Sequence, residues 1–190
     1  MPSELISFLT TILATFLGAT AAFMFGLRKA SADRRAEFRR QQLTEFYSPI
    51  AGHAKRARAL LAMSMKVWNA KDKGWRDVLA PYLGNYTKKL DEDHRRFAKI
   101  AEYENAQLDE ELLPIYRLIL DVFTSKYSYA LRSTRQYYEG YYAFVNQWDR
   151  VKREALPTEV REHLPHNAKV LHEFFDHIEN MLQTLQDELT

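Results

Sequence analysis

The stretch LISFLTTILATFLGATAAFMFGL, Leu5–Leu27, decides how this chain is read: about 23 residues carry no charge, and Arg28-Lys29 follows at once. A bilayer core about 30 Å thick needs roughly 20 apolar residues at 1.5 Å each, so the segment is long enough to span with a little tilt. A buried core helix rarely runs so far without a polar face. A cleaved signal peptide would begin with a basic region, whereas Met1-Pro2-Ser3-Glu4 holds no Lys or Arg. The expectation is a transmembrane helix.

The flanks orient it. Arg28, Lys29, Arg34, Arg35, Arg39, Arg40, Lys55, Arg56 and Arg58 all follow the span, and no base precedes it. The positive-inside bias then places residues 1–4 outside and the rest of the chain in the cytoplasm. Arg28, Lys29, Arg34, Arg35, Arg39 and Arg40 are the expected contacts to anionic lipid headgroups and the residues that set topology. Net charge is only +2, so the chain as a whole is no strong polyanion binder, and nucleic acid is the lesser partner for this local cluster.

Within the span, Ala14, Gly18, Ala22 and Gly26 recur every fourth residue and so share one helix face. Small side chains at that spacing let two helices approach closely in lipid, where van der Waals contact drives association. Self-association through this ridge is expected.

Beyond the span lie about 160 residues, enough for a single domain with its own core. There is no cysteine, which excludes disulfides, thiolate metal sites and a cysteine nucleophile. Six glycines and six prolines are few, and apolar residues recur at three- and four-residue intervals without any convincing alternating strand. No internal repeat stands out. The expected class is all-α, a transmembrane helix followed by a cytoplasmic antiparallel bundle of five or six helices. Its segments are 1–4 outside, 5–27 in the membrane, 28–48 a basic juxtamembrane helix, and 49–190 the bundle.

Pro49 predicts a kink or break at Ser48. A helix from Ile50 to about Asn69 should end at Asp72-Lys73-Gly74, with Gly84-Asn85 a turn and Asn85 a cap for a helix to about Tyr103. Asp109-Glu110-Glu111 predicts a fresh helix start, running on through Leu131. Gly140 is placed to bend or divide the following helix, and Asn167 to cap the last one.

A single span, a basic polar stretch and the motif L-x-x-F-Y-x-P, at Leu43, Phe46, Tyr47 and Pro49, resemble small, uncharacterised bacterial membrane-anchored proteins. The resemblance covers the first third of the chain. It implies a bacterial inner-membrane protein and carries over no catalytic residue.

The chain has no glycine-rich phosphate loop, no G-x-S-x-G and no G-K-[ST], and no serine, threonine or lysine in an activating context. No catalytic residue is expected. His163, His166, His172 and His177 cluster near the C-terminus, but His172 and His177 lie five apart, about 140° around a helix, one residue off a zinc pair. They read as surface histidines, with no metal or other cofactor. Asp91-Glu92-Asp93 reads as a solvated turn or helix start.

Six of the eleven tyrosines fall between positions 127 and 142, interleaved with arginine. Tyr127, Arg132, Arg135, Tyr138, Tyr141 and Tyr142 are the candidate binding residues. Tyr and Arg are favoured at protein interfaces, and Tyr stacks bases while Arg pairs with phosphate. The plain alternative is that half of these rings fill the core. The expected function is a non-enzymatic, self-associating membrane module that binds a protein partner. The alternative is a membrane effector of a phage-defence-like pathway, gated by a nucleotide or cyclic oligonucleotide.

Overall fold

Two prolines shape the path of the backbone. Each lacks the N–H an α-helix would use, and each ring would press on the carbonyl four residues back. The computed structural model, which describes residues 2–82, 88–164 and 168–189 but not the side chains of 2–15, 17, 19, 21, 81, 88 and 168, meets both with a wide turn of π-helix. One spans Gln42–Tyr47 ahead of Pro49, the other Leu108–Leu112 ahead of Pro114. In each, the N–H of the residue before the proline bonds five residues back, Ser48 to Leu43 and Leu113 to Leu108.

The helix therefore runs through. Helix α1 (Pro2–Gln41) continues into α2 (Ser48–Leu79), and α3 (Lys88–Gln107) into α4 (Leu113–Ser125). Of the kink or break expected at Ser48, the break is corrected: the helix continues through the π turn, which accommodates Pro49. Asp109-Glu110-Glu111 likewise starts no helix and lies inside the second π turn. The stretches LTEFYSPI (43–50) and LDEELLPI (108–115) share L-x-E-x-x-x-P-I, and both hold a π turn.

Gly74 does not end α2, which continues to Leu79. The Phe97 ring of α3 lies 3.4 Å from where a Gly74 Cβ would stand, and Trp75 touches both Phe97 and His94. Packing against α3 carries the helix past its glycine. The Gly84-Asn85 turn, the Asn85 cap, His166 and the Asn167 cap lie outside the described residues. Helix α4 stops at Ser125 rather than running to Leu131. A 3-10 turn at Tyr127–Tyr129, extended backbone at Ala130 and Leu131, and the short α5 (Arg132–Arg135) follow. Gly140 then sits in the first turn of α6 (Tyr138–Lys152) and divides nothing. Helices α7 (Thr158–Glu162) and α8 (Ala168–Asp187) complete the chain.

Four limbs, α2, α3–α4, α6 and α8, alternate in direction around one core. Phe46 meets Phe123 and Trp75 meets Phe97 between the first two; Thr124 meets Tyr138 and Arg117 meets Asp149 between α4 and α6. Tyr137 lies over His177 between α6 and α8, and Arg58 reaches Asp176 and Glu179 to join α8 back to α2. Phe46, Tyr47, Ile50, Ile119, Phe123, Tyr141, Phe174 and Ile178 are buried at the centre. The all-α, antiparallel expectation holds, and no strand occurs among the described residues.

Helix α1 leaves this bundle. Phe16, Phe23 and Phe25 are 69%, 65% and 71% exposed, and Phe38 rests on Tyr129 of the bundle at 5.8 Å. Among the described residues no helix is long and apolar enough to cross a membrane, and the described side chains omit most of Leu5–Leu27.

The α6–α8 approach is close. A Cβ on Gly140 would stand 2.9 Å from Val170 Cγ1, whereas one on Gly52, exposed in α2, would meet nothing within 4 Å. Gly140→Leu should lower thermal stability by about 1–3 kcal/mol. Gly52→Ala should raise it by up to about 1 kcal/mol, the helix propensity gained. Melting curves of the two variants against wild type check both signs.

Candidate functional site

The tyrosine-rich run separates into two populations. Tyr141 is fully buried, and its hydroxyl donates to the Tyr116 carbonyl at 3.1 Å. Burial pushes both phenols up, Tyr116 to about 12, so neither ionises in the physiological range. Tyr141 is thus core, and its expected place in a binding surface is corrected.

Tyr127, Tyr138 and Tyr142 make the surface. Tyr127 and Tyr142 are exposed, and the half-buried Tyr138 joins them, with ring centroids 5.7 Å and 6.3 Å away. Beneath them the buried Phe123 lies 5.2 Å from Tyr138 and 6.3 Å from Tyr127. Thr124 Oγ1 and the Tyr138 hydroxyl share a hydrogen bond of 3.1 Å. Three rings are thus held in place before any partner arrives, which lowers the ordering cost of binding.

Arg135 stacks on Tyr127 at 4.9 Å, and its guanidinium is also committed inward. Nε donates to the Ala130 carbonyl at 2.8 Å and Nη2 to the Ser128 carbonyl at 3.2 Å. Both carbonyls lie in the connection that follows α4, so Arg135 serves the backbone of the break. Arg132 is exposed on α5.

The break itself hangs on the L-x-x-F-Y-x-P motif. The Tyr47 hydroxyl accepts the Leu131 N–H at 3.1 Å and shares a hydrogen bond with Thr134 Oγ1 at 2.7 Å. Thr134 in turn meets His177 Nε2 at 2.9 Å, and Gln42 Nε2 donates to the Tyr129 carbonyl at 2.8 Å. Burial raises the Tyr47 phenol above its ordinary value, against the opposing hydrogen bonds of Thr134 and Leu131. Phe46 and Tyr47 are fully buried, so the motif is the keystone of the bundle rather than an exposed recognition element.

His177 is correspondingly no surface histidine: it is half-buried, 5.0 Å from the Tyr137 ring, and desolvation holds its pKa below the ordinary value. His163 and His172 are exposed, and no group of histidine and carboxylates with metal-binding geometry occurs among the described residues. Asp93 is also not solvated but buried at 9% exposure beside Arg96. On α1, the candidate headgroup residues Arg28, Lys29, Arg34, Arg35 and Arg40 are exposed, while Arg39 pairs with Glu188 at 3.1 Å. Of the small-residue ridge, Gly18, Ala22 and Gly26 are exposed, and the Ala14 side chain lies outside the described residues.

Comparison with protein-family models, with curated proteins and with solved structures returns no match.

Tyr47→Phe removes the acceptor of the part-buried Leu131 N–H and a buried partner of Thr134, and should cost about 1–3 kcal/mol in denaturant unfolding. Tyr142→Phe, which alters an exposed ring, should stay within about 0.5 kcal/mol. His177 gives a pH dependence. In the unfolded chain it titrates near pH 6.5, above its folded value, so on acidification the unfolded state takes the proton first. Stability contributed by the neutral ring is present above about pH 6.5 and lost as pH falls through that value. The stability gap between wild type and His177→Gln should accordingly narrow from pH 7 to pH 5.

Proposed function

We propose that this chain is a membrane-anchored interaction module. Helix α1 crosses a bacterial inner membrane, the bundle lies in the cytoplasm, and the Tyr127–Tyr138–Tyr142 face docks a protein partner without catalysis. The observation that carries the anchor is the row of bare rings on α1. Phenylalanines as exposed as Phe16, Phe23 and Phe25 on a helix that has left the bundle are costly in water and at home in lipid. The basic residues just beyond Leu27 and the resemblance around L-x-x-F-Y-x-P support the same placement and orientation.

Docking is favoured over nucleotide gating by the hydrogen bonds of Arg135. A phosphate site wants guanidinium donors free to fork onto oxygen, and this guanidinium already donates to two carbonyls. Pre-ordered tyrosine rings over a buried Phe123 are what a protein interface uses as anchors. Self-association belongs to the proposal through Ala14, Gly18, Ala22 and Gly26. A Cβ on Gly18 or Gly26 meets nothing of the chain itself within 4 Å, so that face is open to a second copy.

The test is crosslinking in native membranes. The chain should resist alkaline extraction, form a crosslinked dimer that Gly18→Ile with Gly26→Ile abolishes, and capture one partner through a photoreactive group at position 142. Capture should fall at least several-fold in Tyr127→Ala. Extraction by alkali would end the anchor, and a monomer indifferent to both glycine changes would end the self-association. A thermal shift with a nucleotide that Arg135→Ala removes would replace docking with gating.

A further inference from the structure

A groove of about 540 Å³ runs between α1 and the C-terminal end of α8. Met24, Leu27, Arg28 and Arg35 line it from α1, and Glu188 and Leu189 from the other side. The small residues Ser31, Ala32 and Ala36 give it depth. Its chemistry changes along its length, from exposed methionine and leucine at the end nearer the span to guanidinium groups farther on.

We infer that this groove binds one anionic phospholipid, the phosphate held by Arg28 and Arg35 and an acyl chain lying against Met24 and Leu27. The inference rests on α1 crossing the membrane at Leu5–Leu27. Heights along the helix agree with it. Arg35 turns its guanidinium back toward the span, where Nη2 donates to Ser31 Oγ at 3.1 Å. Ser31 lies four residues past Leu27, about 6 Å beyond the edge of the hydrocarbon. The polar headgroup layer is about 5–7 Å deep on each side, so the Arg35 guanidinium and the neighbouring Arg28 reach the level of lipid phosphates.

Arg39 has a different task. It lies about 18 Å beyond Leu27, too deep for a phosphate whose chains remain in the bilayer. There it pairs with Glu188, which ties the end of α8 to α1 and closes the far end of the groove. Glu188 is the sole carboxylate among the described lining residues, and that pairing offsets its charge. A soluble anion would satisfy the arginines but leave Met24 and Leu27 uncovered, whereas a phospholipid fills both ends. Lipid bound here would bridge α8 and α1 and hold the bundle at a set angle to the membrane.

The experiment uses the full chain, extracted from membranes in mild detergent and examined by native mass spectrometry with added phosphatidylglycerol or phosphatidylcholine. Membranes are first washed with alkaline carbonate, and release of the chain at that step would end the membrane reading and this inference together. With the chain retained, wild type should keep one phosphatidylglycerol per chain and no phosphatidylcholine. Retention should fall at least tenfold in Arg28→Gln with Arg35→Gln, and equally in Ala32→Trp, which fills the groove without removing charge. Lys29→Gln with Arg40→Gln removes the same charge outside the groove and should keep the lipid. Equal losses in both charge-removing pairs would reduce the effect to diffuse attraction and overturn the site. So would retention by the groove variants, no lipid on wild type, or displacement of the lipid by millimolar inorganic phosphate.

Discussion

One buried hydroxyl organises the bundle. The chain between α4 and α6 must turn without glycine or proline, and its freed backbone groups need partners away from water. Tyr47, projecting from the first π turn, accepts the Leu131 N–H and bonds Thr134. Gln42 from the same turn and Arg135 from α5 take the carbonyls of Tyr129, Ala130 and Ser128. The α4–α6 connection is therefore held largely by side chains, and three of these hydrogen bonds come from the segment that joins α1 to α2. The limb rising from the proposed anchor and the connection between the aromatic helices are thus fixed by the same few atoms.

That arrangement explains which aromatic residues remain outside. Once Tyr47, Phe46, Phe123 and Phe174 occupy the centre, Tyr141 completes the core by reaching the Tyr116 carbonyl. Tyr127 and Tyr138 are left packed on Phe123, Tyr127 stacked and Tyr138 edge-on, with Tyr142 stacked outside Tyr138. Arg135 belongs to both worlds, binding the break with its donors and covering Tyr127 with its face. A surface built this way is rigid for the same reason that the core is stable, and rigidity is what makes exposed rings useful as anchors.

Much of this was legible in the sequence. The helical class followed from apolar spacing at three- and four-residue intervals. The prolines misled, because proline chemistry forbids an α turn but says nothing of the π turn that replaces it. Gly74 misled because a neighbour's ring, Phe97, supports the helix through it. The end of α4 left no local mark at all: its cause lies some 84 residues away at Tyr47. His177 looked like its exposed neighbours His163 and His172 until its contact with Thr134 placed it inside.

The sequence by itself determined the charge-free run from Leu5 to Leu27, the basic flank, the helical periodicity and the absence of recognisable catalytic motifs, because these depend on composition and on spacing along one helix. Tertiary structure decided which tyrosines are core and which are surface, where α4 ends, and that the end of α8 lies against Arg39 to make a groove. Those outcomes depend on which residues from distant segments meet, and hydrogen bonds across 43 to 87 residues leave no period to read.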